Sequence, residues 1–218
     1  MLLSVLLLIS IYISSVMNNK PIIKEISTDI SIVKKIIIAQ PKKIKNTKEE
    51  FFVIPISNIE DSIRKFVMQW FGKDDPIYVD KVVKAYMKLL NKEEKNKQNV
   101  FYYIALCSRE SNFRMSARSS VHGSIAKGAV GISQVRPTIW AKTVKENYGI
   151  SREELCTDIY SNIYAGYRIW DNYRRKGDGS ILSANTGYLG GSAKKYTSDI
   201  NKRYVSLMTD ILNSMNKE

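Results

Sequence analysis

The sequence predicts a mainly α-helical domain, and three observations carry that expectation. From about Asn58 onward, apolar residues recur three and four positions apart in six successive segments, the period of a helix with one buried face. Residues suited to helix boundaries stand between those segments, with Pro76, Pro137 and Asp158 at starts and Gly72 and Gly177 at ends. Glycine otherwise gathers in two stretches, residues 119–134 and 177–192, which read as loops.

Taken in order, Ile59, Ile63, Phe66, Val67 and Trp70 make the first stripe, closed by Gly72. Pro76 opens the second helix, which turns Val79, Val82, Val83, Tyr86, Leu89 and Leu90 inward. Residues 92–98 form a charged connector, and residues 100–111 a third helix. Pro137 suits the first turn of a fourth, carrying Trp140 and Val144. Asp158 suits the N-cap of a fifth, with Ile159, Ile163, Gly166, Ile169, Trp170 and Tyr173 as its stripe. Arg174, Arg175 and Lys176 then complement the negative end of the helix dipole before Gly177. A last helix begins near Ser198 and aligns Ile200, Tyr204, Leu207, Met208 and Ile211.

The segments before these helices differ. Residues 1–17 carry no charged side chain and are rich in Leu, Ile and Val, which reads as a signal peptide or a short membrane anchor. Residues 18–57 mix isoleucine with lysine pairs and are punctuated by Pro21, Pro41 and Pro55, a basic tether or extended arm. The expected organisation is therefore a leader or anchor over 1–17, an arm over 18–57, N-terminal helices over 58–98 and a core over 99–216.

The chain of 218 residues has a net charge of +13. That surplus favours anionic partners such as nucleic acid, anionic lipid or an acidic wall polymer, although a lysine-rich surface serving solubility has the same composition. No groove-reading motif accompanies the charge, so nucleic acid is not an expected partner. Cys107 and Cys156 are the cysteines and His122 the single histidine. They can form one disulfide in an exported protein or fill core positions, and they do not make a zinc set. No metal and no cofactor is expected.

Glu110 is the most informative residue. It follows Cys107 by three positions, Leu106 by four and Tyr103 by seven, so it shares their helix face. It also stands at a helix C-terminus, where the dipole disfavours negative charge. Apolar surroundings and the dipole both raise a carboxyl pKa, as general-acid chemistry requires. A frayed, solvent-facing glutamate has the same spacing.

Other segments change the weight of that residue. Gly128-Ala129-Val130-Gly131-Ile132-Ser133-Gln134-Val135-Arg136-Pro137 has closely spaced glycines and an amide able to bond a sugar. Ser183-Ala184-Asn185-Thr186-Gly187-Tyr188 reads as a short polar turn, and Asn162 falls on a buried stripe, where it needs hydrogen-bond partners. Together these resemble the catalytic domain of soluble-type lytic transglycosylases, relatives of goose-type lysozyme. Glu110-Ser111-Asn112-Phe113 is similar to the family's Glu-Ser-x-Phe, and residues 128–137 to its Gly-Ala-x-Gly-Leu-Met-Gln-x-x-Pro. Residues 158–166 resemble its Asp-Pro-x-x-Asn-Ile-x-x-Gly helix, residues 183–187 its Ala-Tyr-Asn-Ala-Gly, and Tyr204-Val205 its closing Tyr-Val pair.

The resemblance implies a lysozyme-like helical fold with a glycan cleft and short irregular or β-like loops. It implies an enzyme that cleaves the β-1,4 bond between N-acetylmuramic acid and N-acetylglucosamine and leaves a 1,6-anhydro sugar. Glu110 is the implied acid and then base; Ser111, Gln134 and Asn185 would hold the glycan and Tyr204 would neighbour the glutamate. Gly128, Gly131 and Asn162 are implied as structural supports. Ser133 stands where the family has Met, and Ala184 where it has Tyr, for which Tyr188 is the candidate substitute. Asp158 and Asp171 read as a helix cap and a surface charge. A lysozyme-type hydrolase and a non-catalytic peptidoglycan-binding component of a secretion or conjugation apparatus remain the alternatives. The expected place is the periplasm or cell envelope, with membrane attachment through residues 1–17 open.

Overall fold

Capping side chains set the starts of four helices in the computed structural model, which describes residues 56–72, 74–120, 124, 127–190 and 193–215. The leader over 1–17, nearly all of the arm over 18–57, and His122 lie outside the described residues. The described residues belong to one unit, Ile54–Glu218.

Helix α1 spans Ile56–Phe71 and ends at Gly72, whose φ of 65° suits a residue without Cβ. Helix α2, Pro76–Lys92, starts where the Asp75 side chain accepts from the Tyr78 amide at 2.9 Å. The charged connector tightens into a 3₁₀ turn, Glu94–Asn96, and α3 follows as Lys97–Ser111. Helix α4 is Pro137–Tyr148, and α5 is a single short helix, Arg152–Thr157, held by a capping box between Ser151 and Glu154. The Asp158 carboxylate accepts from the Ser161 amide at 2.7 Å and starts α6, Ile159–Lys176. Helix α7 is Ile181–Leu189 and α8 is Lys194–Met215. Between α3 and α4 the chain is irregular, with isolated bridges from Val130 to Arg118 and to Val135.

Helix α3 is the centre of the fold. Every residue from Val100 to Ser108 is buried, as in a helix enclosed on all sides. Helices α1, α2 and α8 pack on it. From α6, Trp170 stacks on Tyr102 with ring centroids 5.8 Å apart, and Tyr167 meets Tyr103 edge-on at 5.5 Å. Gly166 makes this approach possible, because a Cβ there would collide with the Tyr103 hydroxyl and the Ser133 side chain.

Two expectations need correction. Residues 177–192 are not one loop, since residues 181–189 form α7. That segment carries Asn185, Thr186 and Gly187, poor helix formers, so local propensity points away from a helix. Packing decides instead: α7 lies against α6 so closely that a Cβ on Gly187 would enter the Tyr173 ring. Helix α5 has too few residues to show a period. Asp171 is buried, not a surface charge, and it pairs with Arg174 at 2.9 Å and Arg175 at 3.0 Å. Cys107 and Cys156 are both free thiols, Cys107 in the core.

Candidate active site

Glu110 occupies the last turn of α3, and the chain reverses immediately after it. Asn112 caps the helix at φ 49°, its amide donating to Ser108 O at 3.0 Å. Phe113 follows at φ 61°, an unusual conformation for a bulky residue. Two contacts hold it there. Its ring is buried between Phe66 and Tyr86, each with centroids 6.0 Å away. Its carbonyl accepts from the Tyr78 hydroxyl at 2.6 Å, and that hydroxyl accepts from the Met115 amide at 2.7 Å. Strain of this kind persists where packing over-determines it, and here it fixes the exit of the chain beside Glu110.

The carboxyl group is half-buried above Leu106, Cys107 and Tyr103, all fully buried. Desolvation raises its pKa, opposed by a hydrogen bond from Tyr196 and by the charge of Arg109. The Tyr196 hydroxyl donates to Glu110 Oε1. Burial pushes the Tyr196 and Tyr188 phenols well up, and the charge of Glu110 adds to both shifts. Both therefore remain protonated donors. One turn back, burial pushes the Cys107 thiol up to about 12, which makes it an inert wall.

The glycine-bearing loop is pinned under this site from three directions. From α3, Ser111 Oγ donates to Ile132 O at 2.7 Å. From α6, Asn162 accepts from the Ser133 amide at 2.9 Å and donates to Val130 O at 3.2 Å and Leu155 O at 2.8 Å. Gly131, at φ 77°, leaves room for that amide, since a Cβ there would overlap the Asn162 side chain. From α7, the Tyr188 hydroxyl donates to Ser133 O at 2.5 Å. Gln134, itself at φ 49°, donates from Nε2 to Gly131 O at 2.9 Å, which leaves its carbonyl oxygen without a protein partner among the described residues. Gly128 is buried at the start of this loop.

Glu110, Ser111, Gln134 and Tyr188 are thus joined through one loop and the end of one helix. Two residues implied by the sequence stand elsewhere. Asn185 is fully buried, where its Oδ1 accepts from Trp170 Nε1 at 2.9 Å and its Nδ2 donates to Tyr102 at 2.9 Å and Thr197 at 3.0 Å. Every polar atom of that side chain is used inside the protein, so it ties α3, α6, α7 and α8 together and has nothing left for a glycan. Tyr204 packs on Tyr102, with ring centroids 5.6 Å apart. The tyrosine on Glu110 is Tyr196, eight positions earlier on α8. Sequence reasoning missed it, although 196, 200 and 204 fall on one helix face.

The family model described as "Transglycosylase SLT domain" matches residues 87–204, from within α2 to within α8. No curated protein and no solved structure matches the chain.

Proposed function

The chain belongs to the transglycosylase SLT domain family, whose substrate is cell-wall peptidoglycan, and from that premise we propose that it cleaves the N-acetylmuramic acid–N-acetylglucosamine β-1,4 bond with Glu110. The observation that carries the proposal is the environment of Glu110: a half-buried carboxyl with a raised pKa, one oxygen engaged by Tyr196, at the end of the central helix.

The steps follow from that environment. Tyr196 donates to Oε1, so the acidic proton belongs on Oε2. That proton goes to the glycosidic oxygen as its bond to the anomeric carbon breaks. The neighbouring 2-acetamido oxygen bonds the anomeric carbon and spreads the positive charge. The glutamate, now a carboxylate hydrogen-bonded by Tyr196, takes the proton of the sugar 6-hydroxyl. The freed oxygen closes on the anomeric carbon, expels the acetamido oxygen and leaves a 1,6-anhydro ring. No water is consumed, and a second carboxylate is not required, unlike the two-carboxylate route. Gln134 Oε1 and the Tyr188 ring are the groups we assign to holding the glycan, while Ser111 acts through the loop it anchors.

Family membership implies action at the cell envelope. Among the described residues no helix is long and apolar enough to cross a membrane. The uncharged residues 1–17 support export to the periplasm, with that segment as leader or anchor, and the net charge of +13 favours an anionic wall polymer. A role within a secretion or conjugation apparatus is one context for such an enzyme.

Digestion of purified peptidoglycan by the full chain and by Glu110→Gln tests the reading. Products whose terminal sugars are one water lighter support it. Reducing ends would make the protein a hydrolase, and equal clearance by both proteins would remove Glu110 from the chemistry.

A further inference from the structure

A pocket of about 290 Å³ begins at the residue before Glu110. Trp70, Arg109, Asp199, Lys202, Arg203 and Ser206 line it, so three cations face one carboxylate. Arg203 is fixed in place: its guanidinium lies 3.5 Å from the Trp70 ring centroid and donates to Ser108 Oγ at 3.1 Å. Ser108 is itself fully buried and donates to Ala105 O at 2.7 Å. Asp199 is engaged by Arg109, loosely, at 3.7 Å. Among the described residues neither Arg203 nor Lys202 makes an ion pair with a carboxylate. Burial pulls the Arg203 guanidinium below its usual range; the nearby Arg109 adds to that shift and Asp199 opposes it. An arrangement with surplus positive charge, one arm already immobilised, is suited to an oxyanion, which a guanidinium can bind with two parallel hydrogen bonds.

One side chain, Tyr196, links Arg109 at the pocket to Glu110. Tyr196 puts its hydroxyl on Glu110, and its ring lies 5.9 Å from the Arg109 guanidinium. Whatever occupies the pocket while the glycan is at Glu110 lies within a short chain's reach of the scissile bond. N-acetylmuramic acid carries such a chain, a short peptide stem with free carboxylates. Four extended residues span about 13 Å. We propose that the Arg109–Lys202–Arg203 pocket binds a carboxylate of that peptide stem and so selects peptide-bearing strands. The proposal rests on the glycan-cleavage reading for its ligand, and not for the existence of the anion site.

The test has a binding arm and a cleavage arm. In the first, the full chain is titrated with the free acidic stem tetrapeptide, with the same peptide carrying amidated carboxylates, and with inorganic phosphate. Tryptophan fluorescence is the readout, because Trp70 lines the pocket. The acidic peptide should bind, and the amidated peptide should bind at least about tenfold more weakly. Lys202→Gln, on an exposed residue, should weaken acidic-peptide binding severalfold, and Lys202→Gln/Arg203→Gln should weaken it further with an unchanged circular dichroism spectrum. In the second arm, Lys202→Gln should raise KM on peptide-bearing strands and leave cleavage of strands stripped of their peptides unchanged. Failure of the acidic peptide to bind overturns the assignment. So does equal binding of the amidated form, or phosphate binding more tightly than the acidic peptide and displacing it at equal concentration. Peptide binding without cleavage of either substrate by the native chain overturns the glycan-cleavage reading while upholding the pocket.

Discussion

Glu110 and Asn185 are both polar side chains set among buried aromatic residues, and each is met by a tyrosine hydroxyl. Asn185 is complete: its amide serves Trp170, Tyr102 and Thr197, and it is fully buried. Glu110 is incomplete, with Tyr196 on one carboxyl oxygen and the other without a protein partner among the described residues. A completed polar group rigidifies the fold, because leaving any of its partners unpaired costs more than the bonds contribute. A half-completed one keeps a proton available. On the proposed reading, two residues that look alike as motif members divide into chemistry and scaffold by how much of their hydrogen bonding the protein itself consumes.

The comparison can be broken most directly at the acid. Glu110→Gln should lower peptidoglycan cleavage by about a thousandfold, measured as release of soluble muropeptides, because an amide cannot donate the acidic proton. The same variant should gain stability. The folded pKa of Glu110 lies above its unfolded value, so the native state holds this proton to higher pH than the unfolded chain does. Stability is then lost as pH rises from the ordinary carboxylate range through the raised value. The Tm of Glu110→Gln should exceed that of the native chain at neutral pH, and the gap should close below about pH 4.

At the scaffold end, Asn185→Ala should cost about 3 kcal/mol in denaturant unfolding, since it strands the indole N–H of Trp170 together with two hydroxyls. Cleavage per folded molecule should survive; a loss of activity without a loss of stability would return Asn185 to the glycan. Gly166→Ala should cost about 2 kcal/mol, because the new methyl group overlaps Tyr103 and Ser133 between α3 and α6. The smallest effect should come from Tyr196→Phe, less than about tenfold in rate. Its diagnostic is the pH profile. Tyr196 holds the Glu110 pKa down, so its removal should move the high-pH limb of activity to higher pH.

Much of the fold was legible because period and caps agree in the long helices. Asp158, Pro76 and Pro137 mark helix starts in the sequence and stand at those starts in the structure. Helix α7 was not legible, since Ala184, Asn185, Thr186 and Gly187 suit a turn as well as a helix and only the close approach to Tyr173 selects one. At the site, the position of Glu110 on the face of Tyr103, Leu106 and Cys107 could be read from spacing alone. Its partner could not, because Tyr196 and Tyr204 occupy the same face of α8, and the sequence holds no measure of which turn faces the end of α3.

By itself the sequence determined the helical class, the position of a carboxyl on the apolar face near the end of a helix, and the family to which residues 87–204 belong. These rest on local periodicity and ordered motifs, which survive without knowledge of three-dimensional contacts. Only the tertiary structure decided that Tyr196 restrains the acid, that Asn185 is spent inside the core, and that Arg109, Lys202 and Arg203 share a pocket. Each of those depends on which turn of α8 meets α3, and that register is set by the packing of whole side chains between helices and not by any one segment.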